Sequence, residues 1–328
     1  MMLDFGEPPS LTSRADEYKK IFTSHQRTKE FKGHTAKVHS VGWNCEGKYL
    51  ASGSFDQTVS LFAFNQSSLS KILSFTEHEG SVDQLCWHKT NPELLCTAGG
   101  DKTVRIWDTR QIKCCSTINT KGENINIRWS PDGKTIAVGN KEDLVTFIDT
   151  RTCQKIIEKQ FNYEVNEIGW NNSGNLFFIT NGLGAVPVFQ YPELQVLHVA
   201  KGHCGTCICI DFDPTGKHFA VGSADASVSI WLVDSFVCVR MIPRLSWPVR
   251  ALHFSHDGNL LAAASEDLFI DVSEVSTGAR VFDIPVETPT FTVAWHPKRY
   301  ILAYACDDKE IYDRKKDVGT LKLFGFSN

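Results

Sequence analysis

The sequence has no long apolar run, no excess of positive charge and no regular framework of cysteines. None of its apolar stretches approaches the roughly 20 residues that a membrane-spanning helix requires. The N-terminal segment is acidic and polar, unlike a signal peptide. We therefore expect no insertion in a membrane and no passage through the secretory pathway.

The balance of charge argues against a surface devoted to nucleic acid. The chain has 34 Lys and Arg against 38 Asp and Glu, a net charge of −4 and a pI of about 6.3. Proteins that hold phosphate backbones on one face are usually basic. We therefore expect any contact with RNA to be indirect or weak.

The eleven cysteines show no pairing pattern, and most lie in predicted strands. They fit a reducing compartment, the cytosol or nucleus, where cysteine serves as a small buried hydrophobe. His203, Cys204, Cys207 and Cys209 superficially suggest a metal site. Side-chain directions alternate along a strand, so these four ligands could not easily converge. We predict that these residues bind no zinc and that no pair of the eleven cysteines forms a stable disulfide in that reducing compartment.

What the sequence does contain is one pattern that recurs seven times. An aromatic residue ends a short apolar run every 41–44 residues. These aromatics are Trp43, Trp87, Trp129, Trp170, Phe212, Phe254 and Trp295. Repeats of this length with an upstream His and a downstream Trp-Asp are typical of WD40 blades. The sequence therefore predicts an all-β, seven-bladed WD40 β-propeller.

The repeat also predicts the domain organisation. Inner strands are expected near residues 38–43, 82–87, 124–129, 165–170, 207–212, 249–254 and 290–295. We predict a single propeller over residues 23–328, after a flexible tail over residues 1–22 that lacks any period. Because blade 7 supplies only three strands, residues 28–31 are expected to pair as its fourth and to close the ring.

A buried hydrogen-bonded set of four side chains is predicted in blade 2. The residues that match this feature of WD40 proteins are His78, Thr97, Asp101 and Trp107. An Asp in the turn between the second and third strands can bond the backbone of its own turn or a nearby His. We call this set a tetrad and predict that Asp101 is buried or nearly so.

Other blades carry incomplete tetrads. Blade 1 has the histidine, the hydroxyl and the acid as His34, Ser52 and Asp56, but it lacks the tryptophan. Blade 5 lacks the hydroxyl, because Val221 stands at its position. Blade 4 lacks the set and has Gly184 where the acid would be, so we expect it to be the least regular blade.

No catalytic constellation emerges from these residues. The same His–Asp pairing recurs at repeated positions, which indicates a structural role rather than a catalytic one. No GxSxG, HExxH or P-loop spacing is present. We predict that the protein is not an enzyme and uses no metal, cofactor or small-molecule substrate.

Exposed residues on the face that bears the turns after the outer strands are candidates for binding a partner. Repeat register places these side chains there: Lys37, His39, Phe55, Asp83, Asn124, Asn126, Glu164, Asn166, Arg250, Glu266 and Phe291. Trp247 lies close by in the segment SWPVR, and Trp and Arg are enriched at binding hot spots. We predict that a docking rim on blades 6, 7 and 1 consists of Lys37, His39, Trp247, Arg250 and Phe291.

Several segments outside the WD40 consensus are distinctive. They include AKVHSVGW, LASGSFDQT, GSADASVSIW, WPVRALHFSHDGNLLAAASEDLFIDVSEV and TPTFTVAWHPKR. Together, in order from about Lys29 to Gly325, they closely resemble the WD40-repeat subunit 3 family of the THO complex. The first 25 residues and the charged segment 309–317 are covered least.

The resemblance implies a non-catalytic scaffold in the nucleus. It would dock on larger helical THO subunits and, indirectly, meet the helicase and the adaptor that export mRNA. A different function stays open from the residues alone, namely a reader of a modified peptide such as methyl-lysine in a chromatin or ubiquitin-ligase complex. Such a reader needs an aromatic cage; Phe55 and Phe291 are the candidates, on separate blades.

Overall fold

Seven four-stranded antiparallel sheets surround a central channel in the structure, a computed structural model that describes residues 14–307, 309–311, 314–316 and 319–327. Each sheet is one blade, and its strands follow one another from the channel outward. The inner strands of neighbouring blades contact each other around the ring, with blade 1 meeting blade 7. The predicted all-β, seven-bladed propeller is confirmed.

A helix and a strand precede the first blade: α1 (Arg14–Ser24) and β1 (Arg27–Lys32). Blade 1 consists of β2 (Val38–Trp43), β3 (Tyr49–Ser54), β4 (Val59–Asn65) and β5 (Ser68–Phe75). Blade 2 consists of β6 (Val82–Trp87), β7 (Leu94–Gly99), β8 (Thr103–Asp108) and β9 (Cys114–Asn119). Blade 3 consists of β10 (Asn124–Trp129), β11 (Thr135–Asn140), β12 (Leu144–Asp149) and β13 (Gln154–Gln160).

Blade 4 consists of β14 (Val165–Trp170), β15 (Leu176–Asn181), β16 (Ala185–Gln190) and β17 (Gln195–Lys201). Blade 5 consists of β18 (Cys207–Phe212), β19 (His218–Ser223), β20 (Val228–Leu232) and β21 (Cys238–Ile242). Blade 6 consists of β22 (Val249–Phe254), β23 (Leu260–Ser265), β24 (Phe269–Glu274) and β25 (Arg280–Pro285). The remaining strands are β26 (Thr290–Trp295), β27 (Leu302–Cys306), β28 (Lys309–Ile311), β29 (Arg314–Lys316) and β30 (Thr320–Phe326).

The recurring aromatic residue ties each blade to the one before it. The indole N–H of Trp87 donates to the backbone carbonyl of Gly42 in blade 1, with N and O 2.8 Å apart. Trp129 donates in the same way to Cys86 in blade 2, at 3.1 Å. The ring body meanwhile packs into an apolar layer between the blades. Phe212 and Phe254 have no ring N–H to donate, so the sequence period reflects the packing of the ring, because a propeller buries its core between neighbours.

Ring closure follows the predicted route. β1 pairs antiparallel with β30, so blade 7 has the order β26, β27, β30, β1 from the channel outward. Phe31 lies opposite Leu321 and Thr28 lies opposite Phe324. The N-terminal strand is therefore the outer strand of the last blade, as expected from its missing strand.

The prediction of a flexible tail over residues 1–22 was wrong for residues 14–22. Residues 14–24 form α1, and residues 1–13 lie outside the described part of the chain. Phe22 is fully buried between blades 6 and 7, with its ring 6.1 Å from that of Trp295 and 6.0 Å from that of Phe324, centroid to centroid. Sequence period gave no sign of this helix, because its few anchoring side chains belong to no repeat.

Blade 4 is irregular, but not uniquely so. The ladder between β15 and β16 runs only from Leu176–Gln190 to Phe178–Val188, because Pro187 in β16 has no N–H to extend it. The ladder between β27 and β30 is equally short. In blade 7 the connection between those two strands contains the extra hairpin of β28 and β29. Within the described residues, no helix has the length and apolar character needed to cross a membrane.

Candidate partner-binding rim

The blade 2 tetrad is a chain of hydrogen bonds between buried side chains. The Trp107 indole N–H donates to the Thr97 hydroxyl at 2.9 Å, and that hydroxyl lies 2.7 Å from His78 Nε2. His78 Nδ1 lies 2.8 Å from a carboxylate oxygen of Asp101. Since indole can only donate, Thr97 can donate to Nε2, which leaves the Nδ1–H for Asp101. Every group in the set then has a partner.

The tetrad carboxylates also receive the backbone of the turn before the inner strand. Asp101 accepts the Glu79 N–H at 3.0 Å, and Asp56 in blade 1 accepts the Thr35 N–H at 2.9 Å. Burial by itself would raise the pKa of each carboxyl group, but hydrogen bonds from His34 or His78 and from these turns outweigh it. The pKa values of Asp56 and Asp101 are therefore held well below the usual range.

In blade 5 the missing hydroxyl comes from a different strand. Ser229 on β20 lies 2.7 Å from His203 Nε2 and accepts the Trp231 indole N–H at 2.6 Å. Ser229 pairs directly with Val221 of β19, so its hydroxyl reaches the place that Val221 leaves empty. Sequence reasoning looked only at the second strand and missed it. The SVSIW segment could have revealed a hydroxyl two residues before the tryptophan.

Blade 1 keeps the histidine, hydroxyl and acid but replaces the indole. His34 lies 3.1 Å from Asp56 through Nδ1 and 2.7 Å from the Ser52 hydroxyl through Nε2. Phe62 is buried in the place of tryptophan. The structure thus brings together His34, Ser52 and Asp56, and the fourth member contributes only packing.

The cysteine and histidine cluster of blade 5 does not converge. Cys207 packs into the apolar layer between blades 4 and 5, whereas Cys209 packs into the layer between blades 5 and 6. Cys204 is exposed, and both ring nitrogens of His203 are occupied by tetrad partners. Among the residues that the structure describes, no group of three or more potential ligands is arranged to hold a metal.

Blade 6 fixes its turn with an ion pair that sequence reasoning also missed. The Arg244 guanidinium donates through Nε and Nη2 to the two oxygens of buried Asp271, both at 3.1 Å. Leu245 is buried beside it, and Asp267 accepts the N–H groups of Ser246 and Trp247 at 3.0 and 3.3 Å. The loop is held at three points, while the Trp247 side chain remains 55% exposed.

Three members of the docking rim meet at one aromatic ring. The Lys37 ammonium lies 3.8 Å from the centroid of the Phe291 ring, and the Arg250 guanidinium carbon lies 5.9 Å from the same centroid. Lys37 also pairs with Asp307 at 2.9 Å, and Arg250 pairs with Glu266. Cation–π contacts thus connect blades 1, 7 and 6 across the mouth of the channel.

His39 and Trp247 lie to either side of this group. His39 Nδ1 is 2.9 Å from Asp83 of blade 2, and its ring is 6.0 Å from the largely exposed Phe55 ring. Trp247 belongs to the anchored blade 6 loop. The docking rim is therefore a mixed surface of cations, aromatic rings and carboxylates, in which the charged members are already paired within the chain.

The prediction of exposure at this face was wrong for two residues. Asn124 and Asn126 are buried, and their amides bridge blades instead of facing solvent. Asn126 donates to the Asn166 carbonyl at 3.1 Å and accepts the Gly139 N–H at 3.0 Å. The inner strands of the other blades show the reason: Ile125 is the blade 3 equivalent of His39 and Phe291, so the prediction placed both Asn side chains one residue out of register.

An aromatic cage is not assembled from Phe55 and Phe291. The Phe291 face carries Lys37 of the same chain, and Phe55 neighbours His39 rather than Phe291. A methylated lysine would have to displace Lys37 to reach the ring.

Comparisons with known proteins agree with this architecture. A family model described as the THOC3 beta-propeller domain matches residues 34–305. THO complex subunit 3 of Arabidopsis thaliana is 46% identical over 303 residues, which cover 92% of this chain and 96% of that protein. WD repeat-containing protein AAC3 of Dictyostelium discoideum is 33% identical over 330 residues, covering 93% of this chain and 68% of the relative. The resemblance noted from the sequence is confirmed, and the chain belongs to the THO complex subunit 3 family of WD40 β-propellers.

Proposed function

We propose that this protein is the WD40 subunit of a THO complex and acts there as a non-catalytic scaffold. The observation that carries the proposal is the 46% identity with a THO complex subunit 3 along nearly the whole of both chains. A propeller offers a rigid ring of exposed turns, and such folds place function in surface sites. The scaffold would dock on larger helical subunits of the complex in the nucleus.

The docking rim supports a role in binding a protein. Binding energy concentrates in a few aromatic and Arg side chains that lose little freedom when a partner arrives. Trp247 meets this description, because Arg244, Leu245 and Asp267 fix its loop while the indole stays exposed. Arg250 and Phe291 extend the same surface toward blade 1.

The net charge of the chain bears on how it would meet mRNA. A net charge of −4 gives little affinity for phosphate backbones, so contact with mRNA would run through other subunits. The export helicase and the export adaptor would likewise be indirect partners. The protein would support assembly of export-ready mRNA–protein particles by holding its larger partners in place.

The membership proposal is tested by affinity purification of the tagged full-length protein from nuclear extract. Co-purification of large helical THO subunits in constant proportion is expected. Capture of histone peptides or a ubiquitin ligase instead would contradict membership and favour the peptide-reader function.

The docking rim is tested separately with the double variant Trp247→Ala, Arg250→Ala. Capture of the helical subunits should weaken by about 2 kcal/mol or more, roughly thirtyfold in affinity, at an unchanged melting temperature. The matched control is Ile112→Ala, Lys113→Ala, which removes an exposed apolar side chain and an exposed cation from a blade 2 turn outside the rim. Full capture by the rim variant would contradict docking here and direct attention to the opposite face or to segment 307–319.

A further inference from the structure

A cysteine, Cys86, belongs to one ring of residues that surrounds the central channel, and we call this ring a level of the channel. The channel is a cavity of about 640 Å³, and the fifth residue of every inner strand lines it. The residues at this level are Gly42, Cys86, Arg128, Gly169, Asp211, His253 and Ala294. Of these, Cys86 is the nucleophile.

Three side chains of this level lie near the backbone N–H of the next blade. An oxygen of Asp211 accepts the Phe254 N–H at 2.9 Å, and His253 Nδ1 lies 3.2 Å from the Trp295 nitrogen and 2.9 Å from the Phe254 carbonyl oxygen. Cys86 Sγ accepts the Trp129 N–H at 3.5 Å. At Cys86 the Trp129 N–H is aimed at the sulfur. A thiolate accepts such a bond better than a thiol, since sulfur in a thiol accepts only weakly.

Two further groups favour the thiolate of Cys86. Cys96 lies directly opposite on β7, and its thiol donates to the Cys86 carbonyl at 3.4 Å. The neighbouring Cys96 side chain outweighs the effect of burial and, together with the positive charges of Arg128 and Lys89, lowers the pKa of the Cys86 thiol. Burial keeps the pKa of Cys96 well above its usual value. Cys86 thus lines the channel with its pKa lowered, and Cys96 is fully buried beside it on the paired strand.

We propose that Cys86 is a site of oxidative modification by hydroperoxides that enter the channel, with Cys96 as its resolving thiol. The Cys86 thiolate attacks one peroxide oxygen, the O–O bond breaks, and the leaving hydroxide takes a proton to become water. Sulfur is oxidised to a sulfenic acid and the peroxide is reduced. The Cys96 sulfur then attacks the Cys86 sulfur; the S–O bond breaks, and hydroxide leaves as water with the Cys96 proton.

The cross-strand pair allows the second step with little movement. Directly opposed residues of antiparallel strands hold their Cβ atoms about 4.5–5.5 Å apart, and a disulfide requires about 3.5–4.5 Å. An approach of about 1 Å therefore suffices. All eleven cysteines are free thiols in the structure, so the reduced pair is the starting state.

The test treats the purified full-length protein with hydrogen peroxide, alkylates remaining thiols and digests with trypsin. Cleavage after Lys71, Lys89 and Lys102 puts Cys86 in peptide 72–89 and Cys96 in peptide 90–102, each with no other cysteine. The expected product is the disulfide of these two peptides. In Cys96→Ser, the sulfenic acid on Cys86 should persist and be trapped by dimedone.

Cys209 is the matched control, because it lines the same channel in blade 5 but burial raises its pKa well above the usual value. Iodoacetamide should label Cys86 about tenfold faster than Cys209 in the folded protein. The proposal is overturned if Cys86 stays reduced while the exposed Cys115 and Cys204 are oxidised. Oxidation of Cys86 without a bond to Cys96 in the wild-type protein would overturn the resolving role.

Discussion

Blades 2 and 6 hold the same turn by different chemistry. In both, a carboxylate between the second and third strands accepts backbone N–H groups of the turn before the inner strand, Asp101 in blade 2 and Asp267 in blade 6. Blade 2 completes the site with the hydrogen-bonded chain of His78, Thr97 and Trp107. Blade 6 replaces the histidine with buried Leu245 and adds an ion pair.

The difference shows that the backbone anchor is what the fold requires, whereas its side-chain support can vary. In blade 2 the residues of the WD40 consensus lie inside the sheet. The turn before its inner strand has no large apolar side chain. Blade 6 places the support on Arg244, which leaves room for an exposed Trp247 in the same loop. Departure from the consensus therefore coincides with the candidate docking surface.

The largest loss of stability is expected at the contact between blade 6 and α1, which lies outside the repeat. Phe22→Ala should lower the free energy of unfolding by about 3–5 kcal/mol, because it empties a fully buried aromatic site between blades 6 and 7. Ile21→Ala on the same helix is the control, since Ile21 is 37% exposed. Urea unfolding measures both. Equal values for the two variants would show that α1 does not stabilise the seam.

The ion pair of blade 6 gives the next effect. Arg244→Ala should cost about 2–3 kcal/mol, below the usual loss of a fully buried pair, because the Arg244 side chain is 28% exposed. Buried Asp271 would lose its cationic partner, and the Trp247 loop would loosen. Amide hydrogen exchange should therefore become faster at residues 244–247 before it does so in other turns. A loss of stability without faster hydrogen exchange in this loop would show that the ion pair does not hold the loop in place.

Disrupting the tetrad of blade 2 should lower the stability less than removing the ion pair of blade 6. Asp101→Ala leaves the His78 ring N–H and the Glu79 backbone N–H without their acceptor, at a cost of about 1–3 kcal/mol. Thermal unfolding of this variant and of Arg244→Ala can be compared in one buffer. A blade 2 variant that is less stable than the blade 6 variant would reverse the order we infer.

The smallest effect depends on pH. The pKa values of Asp101 and Asp56 are depressed in the folded state, so their stabilisation is complete above about pH 4 and declines as pH falls toward the folded values. The free energy of unfolding should therefore decrease below about pH 4, and less steeply in Asp101→Asn. Urea titrations at several pH values measure the slopes. Identical slopes would exclude a contribution from Asp101.

Sequence period predicted the fold far better than it predicted the surface. The aromatic repeat indicates blade number and inner strands because each large ring packs in an apolar layer between blades, as Trp87 and Trp129 do. Ser229 and Arg244 escaped notice because a hydroxyl or a cation can reach one site from different strands. The burial of Asn126 was predictable, because its equivalents Ser40 and Thr292 in other blades are buried as well. The helix α1 was not, because its buried anchor Phe22 belongs to no repeat and leaves no periodic signal.

The pairing of β1 with β30 has a consequence for synthesis. Thr28 is synthesised before its partner Phe324, which follows 296 residues later. At common elongation rates that delay is on the order of 15–60 s. During this interval the first blades can form while β1 waits without its partner strand. The last bond to become possible is the one that turns a row of blades into a ring.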